Sequence, residues 1–514
     1  MSEQTPPVLL IRINCIAEVV NTSKAVDAIR KSFPNCPVHT VSSPNSEALD
    51  LVKHDVRIDK INILSPTVTG KLKKALGILT QARAIHPVRA TIVCYGATSG
   101  LRYDKHLLSS LLFRGKKYLI GPDLRLAKVA SLQGLCVIAK TIGRTVANVA
   151  ALQVMVRCYN RPIILPAANK PALLQPGDKV LVVRLDSLGD VVATLPIIQA
   201  ISLHVGSPVD VLVREFAVPL LRQVPFIAKV QTYENIYLAG YTRATHRLIK
   251  DLRRSKYDVA IEMTSNSPTA RLLCHFSASK IIAGFIAPND VAGHSSTQYL
   301  DLKFPAAVGA GGYTIRARRA AQQLGIAENL EPFYFGRTPE SIEQVNTLIR
   351  VHTIVSKFAV LHMHASTTFK SWCSESTSAL IERLINFHDL DIILTGSGED
   401  DAKNEAIRGS VSHPTRVHNL ACKTPIEILP ELYMRAQLIV TVDTGPAHIA
   451  AATQTPLVII GFDRSAPFGH SDSVVEPDPA RAESQPDNPL HSISVERVYD
   501  AIQLALIRKK ATTL

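Results

Sequence analysis

Four short stretches of the chain hold residues whose types and spacing can do chemistry. The stretch RLDSLGD at 184–190 follows the apolar run KVLVV and sets a carboxylate, Asp190, at the start of a helical pattern. Gly189 beside it permits a tight backbone path where a side chain would obstruct. A carboxylate there either caps the helix or faces a ligand. The stretch DTGPAH at 443–448 lies between the apolar run LIVTV and an alanine-rich helical pattern. Asp443, Thr444, Gly445 and His448 offer a carboxylate, a hydroxyl, backbone N–H groups and an imidazole, which suits a phosphate-bearing ligand. Capping or burial explains any one of these residues alone, but not the whole stretch. In HASTTFKSW at 364–372, the hydroxyls of Ser366 and Thr367 and the compact charge of Lys370 can grip a diphosphate, while Trp372 reads as packing. In TGSGEDD at 395–401, Glu399 or Asp400 can bond ribose hydroxyls, or the acidic turn simply caps a helix in solvent.

Each stretch needs an element to hold it, and the pattern supplies one. KVLVV, FAVLHM, DIIL and LIVTV read as buried strands, each followed by a turn and a helix; PLVIIG is a further strand. Strands that alternate with helices predict a parallel, doubly wound α/β sheet, and its ligands sit beyond the carboxyl ends of the strands. All four stretches fall at such ends. There is no GxGxxG, which disfavours a dinucleotide-binding dehydrogenase. His362 and His364 alternate on one strand without a carboxylate or cysteine at ligand spacing, so no metal site and no cofactor are expected.

Composition bounds the partners. A chain of 514 residues exceeds one hydrophobic core, and 46% hydrophobic with 19% charged residues fits a globular protein. The net charge of +14 points to an anionic partner: a phosphorylated substrate, a membrane surface or a nucleic acid. Aromatics at 5%, with no basic-aromatic interleaving, argue against nucleic acid. The eight scattered cysteines read as reduced thiols, the start MSEQTPPVLLIRIN lacks the features of a signal peptide, and no run reads as a transmembrane helix. A cytoplasmic location is expected, with peripheral contact at the inner face of a bacterial cytoplasmic membrane.

The chain also repeats itself. VLLIRINCIAEVVNTSKAVDAI from Val8 aligns without gaps on VLVVRLDSLGDVVATLPIIQAI from Val180, sharing Arg12 with Arg184 and Val19-Val20 with Val191-Val192. At the decisive turn Ala17 and Glu18 stand where Gly189 and Asp190 stand. Residues 1–123 therefore read as a degenerate copy of a domain at 178–340, followed by a further α/β domain at 341–514. Between the copies, 124–177 holds Arg125, Lys128, Lys140, Arg144 and Arg157 but no acid, and ends in Pro162, Pro166, Pro171 and Pro176. It reads as a basic amphipathic helical connector and a proline-rich linker, either lying on an anionic membrane or packed on the protein.

RLDSLGDVVATLP, the HASTTFKSW loop and DTGPAHIAAATQTPLV resemble, in order and spacing, the bacterial heptosyltransferases of glycosyltransferase family 9, over about residues 178–510. The resemblance implies a GT-B fold, two Rossmann-like domains facing a cleft, with the extra degenerate domain ahead of them. It implies an inverting, metal-independent transfer of a heptose from a nucleotide diphosphate sugar, ADP-heptose, to a cell-envelope glycolipid or glycan. Asp190 resembles the family's general base, and Ser366, Thr367 and Lys370 its diphosphate grip. Asp443, Thr444, Gly445 and His448 resemble its donor loop, and Glu399 or Asp400 its ribose contact. Acceptor contacts are expected from Arg271, after the strand VAIEM, which reads equally as a solvated helix residue. A different sugar donor, or a catalytically retired glycan-binding scaffold, are the other readings; Asp190 and Asp443 together favour an enzyme.

Overall fold

In the computed structural model the described residues are 8–11, 38–42, 60–63, 90–94, 116–120, 126–128, 155, 158–159, 174–233, 242–264, 267–286, 299–305, 312–326, 330–365, 370–478 and 488–513. The chain divides into two compact units, Met1–Arg157 with Tyr237–Thr242, and Cys158–Ile236 with Arg243–Leu514.

The first unit contains a sheet of β1 (Val8–Ile11), β2 (Val38–Ser42), β3 (Lys60–Ile63), β4 (Ala90–Cys94), β5 (Lys116–Ile120) and β6 (Leu126–Lys128). Their spatial order is β3-β2-β1-β4-β5-β6. The strands pair in parallel except β6, which runs antiparallel to β5, Ile120 opposite Leu126. That pairing shows that the first residues of the connector read at 124–177 extend the sheet beyond 123 rather than start a helix. Most of the rest of that connector, and the turn at Ala17 and Glu18, lies outside the described residues.

The second unit holds two lobes. The N-terminal lobe is built on β7 (Val180–Val183), β8 (Val209–Val213), β9 (Ile227–Thr232), β10 (Val259–Glu262), β11 (Ile281–Ile286) and β12 (Leu302–Pro305). The C-terminal lobe is built on β13 (Phe358–His362), β14 (Asp391–Leu394), β15 (Val417–Asn419), β16 (Leu438–Val442), β17 (Leu457–Ile460) and β18 (Val474–Val475). Both sheets are wholly parallel, ordered β12-β11-β10-β7-β8-β9 and β15-β14-β13-β16-β17-β18. Central strands covered on both faces must be apolar along their whole length, which is why VLVV, LIVTV and LVII carry so little alternation and are buried throughout.

In each sheet the first strand lies between the second and the fourth, so the chain leaves the sheet in opposite directions at β7 and β10, and at β13 and β16. Such a switch point opens a crevice at the carboxyl ends of the strands. The apolar stretch 188–205 is long enough to cross a membrane by length and composition, yet here it is two helices, Leu188–Ala193 and Leu195–Val205, with 67% of that window buried in the unit. One apolar cluster runs from these helices through Phe333 and Phe335 to the helix Gly445–Ala451 of the other lobe. Trp372 fills a second cluster under the C-terminal helix Val495–Thr513, with its indole N–H donating to the Ile493 carbonyl at 3.1 Å, the packing role read from the sequence.

Candidate active site

The loop after β7 is organised around Arg184. Its guanidinium lies 3.2 Å from Asp186 and 3.1 Å from Asp190, and also donates to the Met263 carbonyl beyond β10. Burial opposes the charge on Arg184, but the two aspartates hold it protonated. The cap of the helix Leu188–Ala193 is Ser187, so Asp190 falls within the first turn and is not the cap. Asp190 Oδ2 accepts from Ser187 Oγ at 2.7 Å, and Oδ1 accepts from Arg184 and from the Tyr313 hydroxyl. Burial pushes the Asp190 carboxyl up, but Arg184, the Tyr313 and Ser187 hydroxyls and His448 outweigh it and hold the group below the usual carboxylate range. Asp186 goes the other way: burial and the neighbouring Asp190 push it to about 6 against the pull of Arg184.

The two lobes touch at glycines. A Cβ on Gly189 would lie 2.8 Å from His448 Cδ2, so the imidazole of the C-terminal lobe occupies the space that a side chain would take. A Cβ on Gly445 would in turn stand 3.4 Å from the Gly189 nitrogen and from Leu188. The His448 ring meets the Tyr313 ring edge-on, centroids 5.0 Å apart. Burial lowers His448 to about 4, so it is a neutral imidazole, and its buried Nδ1 has no hydrogen bond among the described residues.

On the C-terminal lobe, Lys370 reaches from the loop after β13 to Asp443 after β16, Nζ to Oδ2 at 2.9 Å. Asp443 is largely buried and Lys370 remains about a third exposed, with side-chain exposures of 8% and 31%. Gly461 makes this possible, because a Cβ there would stand 2.6 Å from the Asp443 Cβ. Thr444 is the extended residue before the helix Gly445–Ala451, its hydroxyl donating to the Val442 carbonyl at 3.2 Å.

The structure thus brings Asp190, Lys370, Asp443, Thr444, Gly445 and His448 to one cleft. Ser366 and Thr367 lie outside the described residues. Of the acidic turn after β14, Asp400 is buried and occupied, accepting from the Ser397 backbone and hydroxyl at 2.9 and 2.7 Å, whereas Glu399 is exposed. Of the two, Glu399 is therefore the one that faces solvent. His362 and His364 are bonded to Thr395 and Asn404, each at 3.1 Å.

Arg271 corrects the sequence reading. Its side chain is 0% exposed on the helix Pro268–Phe276 and pairs with the equally buried Glu262 at 3.3 Å. An acceptor in the cleft does not reach such a residue. Burial pushes Glu262 up, against the pull of Arg271. Sequence reasoning also missed Tyr313 and Gly461, and noted Arg184 only as shared with Arg12, without a role.

The model of glycosyltransferase family 9 (heptosyltransferase) matches residues 245–462, which include Lys370, Asp443 and His448 and begin beyond Asp190. Lipopolysaccharide heptosyltransferase 3 of Escherichia coli is 26% identical over 294 residues, 56% of this chain and 82% of that protein. Among solved structures, a family 9 glycosyl transferase from Veillonella parvula superposes with a TM-score of 0.56 at 16% identity, over 66% of this chain and 100% of its own. The ADP-heptose heptosyltransferase II of E. coli gives 0.52 at 18% identity, over 65% and 99%. Two doubly wound lobes whose strand ends meet across a cleft form the GT-B arrangement, and this protein is a glycosyltransferase of that class. Within the class, residues 245–462 match the glycosyltransferase family 9 model.

Proposed function

We propose that the protein transfers a heptose from ADP-heptose to a lipopolysaccharide acceptor by a single inverting displacement. The observation that carries this reading is the contact of the two turns: His448 packs against Gly189, beside the ionised Asp190, and the charges of Asp190, Lys370 and Asp443 all act on its ring. The names of the relatives, a lipopolysaccharide heptosyltransferase and an ADP-heptose enzyme, support the donor and acceptor.

A sugar hydroxyl is a poor nucleophile at neutral pH. As its oxygen bonds to the anomeric carbon, its proton passes to Asp190. The bond from that carbon to the diphosphate breaks, and ADP leaves with the electron pair. Lys370 offsets the charge that builds on the leaving diphosphate. His448, neutral, offers a hydrogen bond to a phosphate or sugar oxygen and no charge, while Glu399 bonds the ribose. Ser366 and Thr367 complete the diphosphate grip. The charge of +14 favours a phosphorylated acceptor displayed at the inner face of the cytoplasmic membrane. Residues 1–123, whose parallel strands in the order β3-β2-β1-β4-β5 follow the order of the first five strands of each lobe, are read as a duplicated acceptor-type domain that does not catalyse.

The test is transfer itself. Wild type incubated with ADP-heptose and a panel of truncated lipopolysaccharides should add one heptose to at least one of them, detected by mass. The Asp190→Asn protein should not. Addition of another sugar from another nucleotide donor, with none from ADP-heptose, would replace the donor and leave the mechanism.

A further inference from the structure

The oxygens of Asp190 are not equivalent. An ionised carboxylate offers roughly two acceptor positions on each oxygen. Oδ1 is filled, by Arg184 at 3.1 Å and by the Tyr313 hydroxyl, whereas among the described residues Oδ2 accepts only from Ser187 at 2.7 Å. Among those residues, one position on Oδ2 stays open.

Tyr313 comes from a helix that belongs to both lobes. Ala317, Ala320, Ala321 and Leu324 of Gly312–Leu324 are buried in the apolar cluster with the helix Leu195–Val205. Its first turn is instead stitched to the C-terminal lobe. The Tyr313 N–H donates to the Ala466 carbonyl at 3.0 Å, the Gly469 N–H to Thr314 Oγ1 at 2.8 Å, and Arg316 to the Arg464 carbonyl at 3.2 Å. Gly312 has φ +55°, and a Cβ there would stand 2.5 Å from the Ala466 oxygen, so this approach requires a glycine on both grounds.

We propose that Tyr313 is a positioning residue: seated against the C-terminal lobe, it fixes Oδ1 of Asp190 and leaves Oδ2 to take the acceptor's proton. The proposal rests on Asp190 being the base, and couples that base to the seat of the donor-binding lobe. Burial and Asp190 push the Tyr313 hydroxyl up, so it remains a donor throughout the working range. The charged and titratable groups facing Asp190 are Arg184 and Asp186 from its own loop, Tyr313, and His448 from the opposite lobe; Glu262 at the end of β10 acts on Arg184. Removing the Tyr313 hydroxyl takes away a hydrogen bond to the charged form, so the Asp190 titration must move up.

Tyr313→Phe keeps the ring against His448 and deletes only that bond. In the full chain, the Asp190 carboxyl is followed by carbon-13 NMR, identified by its loss in Asp190→Asn, which needs no substrate. The titration should rise by roughly half to one unit, kcat should fall roughly tenfold, and ADP affinity should stay within about twofold. An unmoved Asp190 titration overturns the proposal, even if kcat falls. If the titration moves but Asp190→Asn retains turnover, the contact stands and the assignment of Asp190 as base is what fails.

Discussion

The turn after β7 carries its aspartate inside the first helical turn, with a quarter of the side chain exposed; the turn after β16 carries Asp443 before its helix, almost wholly buried, at 26% and 8% respectively. Both are strand-to-helix turns, both aspartates are held by a cation, and both rely on a glycine. The cations differ. Arg184 is shared between two aspartates of its own loop and holds one oxygen of Asp190, so the other faces the cleft. Lys370 comes from the neighbouring strand's loop and points its ammonium at Asp443 while keeping part of itself open to a ligand. The glycines differ too: Gly461 makes room for the aspartate of its own lobe, and Gly189 makes room for the histidine of the other. A proton acceptor has to keep a lone pair accessible, whereas a carboxylate that only orients a lysine is better buried.

The largest effect should come from Asp190→Asn. It removes the proton acceptor but keeps the shape, so kcat should fall by about 10²–10⁴ while donor affinity holds; equal losses in donor binding would erase the distinction between the turns. Next is Lys370→Met, which takes away the positive charge proposed to offset the leaving diphosphate and leaves Asp443 without its cation. A loss of roughly 10²–10³ in kcat/KM is expected. A small effect would mean that the second turn does not bear on the diphosphate.

Gly189→Ala sharpens the glycine comparison. Its Cβ must displace His448 or push the lobes apart, so turnover should drop about tenfold, and His448→Ala should relieve part of that loss. A variant as active as wild type would show that the contact is slack. On the proposal that residues 1–123 duplicate the acceptor-type domain, the same substitution stands in its aligned sequence, where Ala17 takes this place and Glu18 follows. That is the physical reason for proposing that such a copy does not form this cleft.

Arg271→Ala tests whether Arg271 is a buried partner of Glu262 or a contact for the acceptor. It strands Glu262 in the interior, and unfolding should cost about 3–5 kcal/mol less, with acceptor KM unchanged in the folded fraction. A raised acceptor KM at unaltered stability would restore Arg271 to the binding surface.

The smallest effect concerns pH. The folded-state value of Asp186, about 6, lies above its ordinary 3.8, so its contribution to stability is present below pH 4 and lost as pH rises through 6. Asp186→Asn should therefore gain stability relative to wild type, on the order of 1 kcal/mol, between pH 5 and 7.5 in urea unfolding. A flat difference contradicts the assignment. Asp190 has the opposite sign: its contribution is present above the ordinary value and lost as pH falls through the lowered one.

Much of this site was readable before the fold. Fully covered parallel strands must be continuous apolar runs, so KVLVV, FAVLH and LIVTV announce themselves, and the polar residues that interrupt them mark the carboxyl ends where ligands collect. What failed has physical causes. Arg271 was misread because arginine is almost never buried unless paired, and the clue to its partner was the acid closing VAIE, Glu262. The strand at Leu126–Lys128 was hidden because backbone pairing with β5, not side-chain pattern, decides it. Tyr313 left no sequence signal, since its contact with Asp190 spans 123 positions and depends on how the two lobes seat.

In the proposed mechanism one turn handles the proton and the other the nucleotide. Calorimetric titration of ADP-heptose, ADP, UDP-glucose and GDP-mannose into wild type, Asp190→Asn and Asp443→Ala tests it directly. Wild type and Asp190→Asn should bind the adenosine diphosphate ligands alike, and Asp443→Ala should lose them. Undiminished binding by Asp443→Ala, or its loss in Asp190→Asn, would contradict the division.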